Sequence, residues 1–403
     1  MKFKINKSLT YLTVFVSFLT TQTFGQQKYQ AATVAFYNVE NLFDTEVSAG
    51  YIDGTRNPDD PMYHISIPVD KMGDYESVPF EGDYTYEALT GKKVIRPLIL
   101  QREEFSPQGK KVWNDTKYNQ KLKNLSQVIA ELGKSETQTA PVIVGLCEIE
   151  NRQNIEDLIN QPALKKYDYG IAHFNSFDAR GVDVGLIYQK NRFQVTKAKP
   201  YVIDVFENDG SRIYTRDILR VTGLLDGEEI TFLVNHWPSR SGGEQASRPR
   251  RQKAAEVMKG IYDEIRTENP KAKIIAMGDF NDDPVSPSME KTMNAIPNKG
   301  KIKDNDIVNL MYLMFKNGMG TLAYRDSWNL FDQFLVTGTL IDSQKKFDSY
   351  KIHKTEIFSP PYLVQPDGQY KGYPYRMFSG DSFRAEGYSD HFPVYTILLR
   401  EVN

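Results

Sequence analysis

The chain of 403 residues is poor in cysteine, in surplus charge of either sign, and in apolar runs of membrane-spanning length. Its one cysteine, Cys147, has no partner for an intrachain disulfide. It lies inside the apolar run VIVGLCEIE, where burial in a strand is expected, and no Cys–His nucleophile pattern surrounds it. Lys and Arg total 50 against 52 Asp and Glu, a formal net charge of −2. That balance removes the argument for a strongly basic nucleic-acid or membrane binder, yet it is compatible with a local basic groove. Neither an internal repeat nor a low-complexity tract is present.

The composition that remains, 25% charged and 40% hydrophobic, is that of a globular chain with ample length for a large core. At the start, Lys2, Lys4 and Lys7 precede the apolar run LTYLTVFVSFL and then TQTFG. A basic segment, a short apolar segment and small residues near Gly25 form the pattern of a secretory signal peptide over residues 1–25. The run is short for an ordinary transmembrane helix, and no cysteine follows it to carry a lipid. The expected mature chain begins near Gln26 and is exported, periplasmic or extracellular, without stable membrane insertion.

Strand candidates follow: ATVAFYNVE, PVIVGLCEIE, GVDVGLIYQ, ILRVTGLL, EITFLVNHW, AKIIAMGDF, FDQFLVTG and FPVYTILLR. Between the first two, residues of about 46–112 are rich in Gly, Pro, Asp and Tyr and weakly periodic, so they are expected to form a long insertion. NDTKYNQKLKNLSQVIAELGK carries Tyr118, Leu122, Leu125, Val128, Ile129 and Leu132 at helical spacing, and Gly133 suits its stop. A second, polar helix is expected over EQASRPRRQKAAEVMKGIYDEIR. Strands outnumber helices, which predicts an α/β sandwich of two packed sheets with helices outside.

Polar groups gather where the apolar strands end: Asn38 and Glu40, Glu148, Asn235 and His236, Asp279 and Asn281, with Asp390 and His391 just before the last strand. Carboxylates and amides without thiolates suit a hard cation, Mg²⁺ first, with Mn²⁺ or Ca²⁺ as alternates. Histidines add proton transfer or donation to a developing oxyanion. Together these are the groups needed for attack of water on phosphorus. Taken singly each has a plainer reading: Glu148 a solvated strand end, His236 a core histidine, GDFNDDP a turn. Their joint occurrence in one order carries the inference.

That order resembles the endonuclease/exonuclease/phosphatase superfamily, which includes deoxyribonuclease I, exonuclease III-type repair enzymes, bacterial sphingomyelinases and inositol polyphosphate 5-phosphatases. The motifs are YNVENLFD, GLCEIEN, RGVDVGLIY, NHWPSR, GDFNDDP, LFDQFLV and GYSDHFPV. The resemblance spans residues 31–399 apart from the insertion and implies a four-layered α/β sandwich with two mostly antiparallel sheets in a single domain. It implies a metal-dependent phosphodiesterase or endonuclease on extracellular DNA or RNA, expected to be a monomer. A sphingomyelinase-like or small-molecule phosphoesterase, and a non-catalytic binding protein on the same fold, stay open.

By motif, Asn38, Glu148 and Asp390 are the implied metal-site residues. His236, Asp279, Asn281, Asp332 and His391 are the implied catalytic set, with Asp279 as base and Asp332 orienting His391. Arg180 matches a phosphate-contacting arginine, or else a surface strand-end charge. Arg248, Arg250 and Arg251 form a second candidate phosphate-binding cluster, or else a solvated helix face. Glu40 is expected to support a ligand and Asp183 to be structural.

Overall fold

This computed structural model describes residues 28–45 and 105–402, apart from positions 108, 175, 177, 179, 207–211, 214, 343 and 345. The signal-peptide reading of residues 1–25 and nearly all of the insertion reading lie outside the described residues.

Thirteen strands in chain order build two large sheets. They are β1 (Lys28–Leu42), β2 (Ile143–Ile149), β3 (Tyr169–His173), β4 (Asp183–Gln189), β5 (Phe193–Tyr201), β6 (Ile218–Leu225) and β7 (Glu228–His236). They continue with β8 (Ile274–Asp279), β9 (Ala295–Pro297), β10 (Ile307–Asn309), β11 (Asp332–Thr337), β12 (Lys351–Ile357) and β13 (Val394–Val402). One sheet runs β12-β13-β1-β2-β4-β3 and the other β9-β10-β11-β8-β7-β6-β5. Neighbouring pairs are antiparallel except β1 with β2, β7 with β8, and β9 with β10. The arrangement is a four-layered α/β sandwich with two mostly antiparallel sheets.

Burial on both faces explains the continuous apolar runs. In β1, Val34 and Phe36 enter the core between the sheets with Ile143, Phe232, Met277 and Phe334. The alternate residues Ala35 and Tyr37 face outward onto helix α1 (Asp115–Glu131), where Leu122, Leu125, Val128 and Ile129 cover them. A central strand with two covered faces has no solvent side, so hydrophobicity does not alternate. The second sheet repeats the device with Leu233, Ile274, Ala276 and Leu335 under α3 (Glu244–Glu268), which contributes Ala254, Met258, Ile261 and Tyr262. A shorter α2 (Arg152–Ile159) follows β2.

Helix α1 begins where expected. The Asn114 side chain accepts a hydrogen bond from the Lys117 amide at 3.2 Å, capping the first turn. Gly133 sits at φ +66°, so the chain leaves the helix through a conformation that favours glycine. The described end of the insertion is not surface loop. Phe105 is buried against Phe43, Trp113 and Phe378, and the Trp113 indole donates to the Phe43 carbonyl at 3.0 Å. An isolated aromatic in a Gly- and Pro-rich stretch has no periodicity to announce its burial.

Candidate functional site

Strand register brings the polar strand ends together. Asp279 pairs with His236 of β7 on one side and with Asp332 of β11 on the other. In the other sheet, Asn38 pairs with Cys147, one residue before Glu148. At that point both β1 and β2 depart from regular pairing, β1 between Asn38 and Leu42 and β2 between Cys147 and Ile149. Glu40, Asn41 and Glu148 lie at φ +50°, +55° and +63°, and Asn281 at +50°. Left-handed backbone at non-glycine residues is unfavourable, and here it turns side chains out of the strand alternation toward one place.

The two sheets meet at Asn38, whose Nδ2 donates to Asp279 Oδ2 at 3.1 Å. Asp279 Oδ1 accepts from the Asn281 amide at 2.9 Å. The Asn281 carboxamide in turn donates to the Trp237 carbonyl at 3.0 Å. Two imidazoles face the same carboxylate: His236 Nε2 lies 3.7 Å and His391 Nε2 3.9 Å from Asp279 Oδ2. His391 Nδ1 is 2.7 Å from Asp332 Oδ2. His236 Nε2 is also 3.8 Å from Glu148 Oε1. Apart from Glu148, which is slightly exposed, all of these side chains are buried.

Their environments push the two histidines apart. Burial, then the cations Arg216, Arg180 and His391, hold His236 well below the usual histidine range. Burial also opposes charge on His391, but the Asp332 carboxylate, with Asp279 and Asp390, overrides it and lifts the ring well above that range. Burial drives the Asp279 carboxyl upward; nearby Asp332 adds to this and His391 opposes it. A neutral imidazole, a charged imidazole and a basic carboxylate thus share one site, a set that can take a proton and give one at neutral pH.

The Glu148 side chain is held from two directions, accepting from the Asn41 amide at 2.9 Å and from Arg180 at 3.3 Å. Asp390 faces Arg376 at 3.4 Å, and Arg376 also binds Glu40. Burial, and next Asp390, raise the Glu40 carboxyl to about 7. Lys121, on α1 and 3% exposed, adds its charge to the Glu40, Asp390 and Glu148 carboxylates. Among the described residues no group of three or more His, Cys, Asp or Glu is arranged to hold a metal; Arg180 pairs with Glu148, and Arg376 with Glu40 and Asp390. In kind, the donors fit a hard cation: every one is oxygen, and Glu40 Oε2 and Asn41 Oδ1 are buried without a hydrogen bond.

The phosphate-binding arginines expected from sequence separate. Arg180 stands at the site on Glu148. Arg248 lies on the outer part of α3, paired with Glu244 at 3.0 Å, and Arg250 is partly exposed there. Arg251 is wholly buried, its Nε donating to Asp282 at 2.7 Å and its Nη1 to Ser247 at 2.8 Å, so it braces the turn after β8 and has no face for a ligand. Asp183 holds His173 at 3.1 Å and the Ser176 amide at 2.7 Å.

Sequence reasoning missed Arg376, Lys121 and Arg216. Arg216 donates to the carbonyls of His236 at 3.1 Å and Trp237 at 2.6 Å and pairs with Asp178 at 2.9 Å, fixing the backbone behind the histidine. Only Lys121 left a signal: it follows Tyr118 by three residues on the apolar stripe of α1, where a lysine is out of place. Arg376 and Arg216 come from irregular segments without periodic cues.

A sequence model of the endonuclease/exonuclease/phosphatase family matches residues 95–400. No curated protein sequence matches the chain. Among solved structures, humanized D. rerio TDP2 carrying 14 mutations is 14% identical, with 69% of this chain and 92% of that one covered and a TM-score of 0.44. An endonuclease/exonuclease/phosphatase family protein from Bacteroides thetaiotaomicron is 14% identical over 94% of this chain and 98% of its own, TM-score 0.44. The human Nocturnin catalytic domain with bound sulfate is 14% identical over 69% and 87%, TM-score 0.42.

Proposed function

The chain belongs to the endonuclease/exonuclease/phosphatase family, and from that premise we propose that it hydrolyses phosphodiesters of DNA or RNA by direct attack of water on phosphorus, outside the cytoplasm. The observation that carries the reading is the convergence of His236 and His391 on Asp279, with Asp332 behind His391 at 2.7 Å. Export rests on the basic, then apolar, start of the sequence.

In this mechanism Asp279, held by Asn38 and the Asn281 amide, orients the attacking water and takes its proton. Its raised basicity suits that task. The new bond joins the water oxygen to phosphorus, and the ester bond opposite breaks. The leaving oxygen takes its proton from Nε2 of His391, the charged imidazole of the pair, whose Nδ1–H donates to Asp332 and fixes the ring's orientation. His236 stays neutral and donates to a phosphate oxygen as negative charge builds. Arg180 offers a guanidinium to the same oxygens. A divalent cation at Glu148 and Asp390, with Asn38 beside them, would neutralise phosphate charge.

The test is purified protein against plasmid DNA, RNA, sphingomyelin and bis(4-nitrophenyl) phosphate, before and after chelation. Nucleic-acid cleavage abolished by EDTA and restored by Mg²⁺ or Mn²⁺ is the expected result. Full activity in chelator, or none on any diester, overturns the reading.

A further inference from the structure

Beside the site lies a cleft of about 510 Å³ that none of the residues above requires. We propose that it is a subsite for the aromatic base of a nucleotide whose phosphate lies at His391; the proposal rests on, and deepens, the phosphodiesterase reading. Small-molecule sites commonly have volumes of roughly 300–1,000 Å³. Arg376 and Asp390 line the cleft, which joins it to the catalytic groups: Asp390 immediately precedes His391.

Part of the lining is the first strand, Leu322–Tyr324, and the turn, Arg325 and Asp326, of a hairpin whose second strand is Ser327–Asn329. Its two tip residues, Arg325 and Asp326, lie at φ +49° and +62°, a tight turn that sets the strands' twist. The loop of Tyr370 and Tyr373 lines it as well. Across the tip, the Tyr373 hydroxyl donates to Asp326 Oδ1 at 2.7 Å and accepts from the Asp326 amide at 2.8 Å. Ring packing then leads back to the catalytic centre. Tyr370 lies 5.6 Å from Tyr373, Tyr373 6.0 Å from Trp328, and Trp328 stacks at 6.1 Å on Phe392, the residue after His391. The platform is therefore preformed, and a ring bound on it is registered to the histidine.

Two of these aromatics stay open: Tyr324 is 63% and Tyr370 46% exposed. Large rings left in solvent beside a cleft are unspent binding surface. Gln369, which also lines the cleft, is exposed beside Tyr370. The Tyr370 face edged by the Gln369 amide, and the Tyr324 ring with the Arg325 guanidinium over it at 5.2 Å, match a planar heteroaromatic ring with polar edges better than an acyl chain. A sequence-tolerant stacking site fits, because every base has a face to stack.

Calorimetric titration of the full chain with thymidine 5′-monophosphate, ethyl phosphate and phosphocholine tests this without relying on turnover. Thymidine 5′-monophosphate is expected to bind more tightly than ethyl phosphate. Replacing Tyr324 and Tyr370 together by Ala should shrink that preference by about 5- to 150-fold, the range that stacking of one base spans. Tyr370→Phe keeps the ring and should retain most of the preference. Both tyrosines are surface residues, so the variants should melt like the parent. Equal affinity for the nucleotide and ethyl phosphate overturns the subsite, as does an unchanged preference in the double variant. A preference for phosphocholine that the double variant abolishes would make the cleft a cage for a quaternary ammonium and overturns the base assignment too. Because these are ratios of binding constants, they are read independently of hydrolysis; failure to cleave any diester would sink the hydrolase reading alone.

Discussion

Asn38 and Asp279 are 241 residues apart and belong to different sheets, yet they share a hydrogen bond of 3.1 Å inside the site. The same bond orients the carboxylate and joins the two layers. Asn38→Ala should therefore register in two measurements at once. Loss of a partner for a buried carboxylate costs about 1–3 kcal/mol, read from urea unfolding. Turnover on a diester should fall about 10²-fold as Asp279 loses its orientation. Wild-type turnover from a destabilised Asn38→Ala protein would show that the bond is only architectural.

Asp332 and His391 are expected to act as one unit. His391→Ala should lower turnover by about 10²–10³-fold. Asp332→Asn leaves the fold intact but frees the ring, and its effect should largely vanish when His391 is already Ala. The measurement is a double-mutant cycle on turnover at saturating metal; strictly additive losses would contradict the assignment.

The arginines of α3 should divide by phase. Arg251 is a buried cation on Asp282, so Arg251→Ala should lower stability by about 3–5 kcal/mol with no special effect on long substrates. Arg248 and Arg250 face outward. Replacing both by Ala should weaken DNA cleavage more than cleavage of bis(4-nitrophenyl) phosphate. The slope of log affinity for DNA against log salt should become shallower by about one for each phosphate no longer neutralised. Equal losses on both substrates would count against a backbone-tracking role.

These three residues also show where sequence reasoning stops. RPRR looks like one basic patch, but successive helix positions differ by about 100°, and Arg251 falls in phase with Ser247, Ala254, Ala255 and Met258 on the covered face. The fold was legible because apolar runs such as IVGLCEI mark strands covered on both faces. Asn38, Glu148, His236, Asp279 and His391 could be singled out because each ends or opens such a run, whereas Asp332 was named only through the family resemblance. Arg376 and Arg216 were not, since a loop arginine acquires its role only from the carboxylate or carbonyl that the fold sets beside it.

Away from the site, Asp226 ties the end of β6 to the segment leading into β12. Arg192 donates to it at 2.6 Å and the Tyr350 hydroxyl at 2.5 Å. Burial alone would raise the carboxyl, but these two hydrogen bonds hold it below the usual range. A carboxyl lowered by folding stabilises above its unfolded value, about pH 3.9, and that contribution fades as pH falls through the folded value. Asp226→Asn should thus be less stable than the parent at pH 7, by about 1–3 kcal/mol, with the gap closing below about pH 4. Urea melts across that window provide the check; a gap independent of pH would mean that charge is irrelevant there.

The pairing of β1 with β13 sets the order in which the site is completed as the chain is made. Asn38 leaves the ribosome some 350 residues ahead of Asp390 and His391, which on typical elongation rates is roughly 20–70 s. Within that interval β1 first gains β2 on one edge while its β13 edge stays open, and Asp279, once made, faces no His391. The site is therefore completed last, when β13 closes the first sheet and His391 comes to lie beside Asp332 and Asp279.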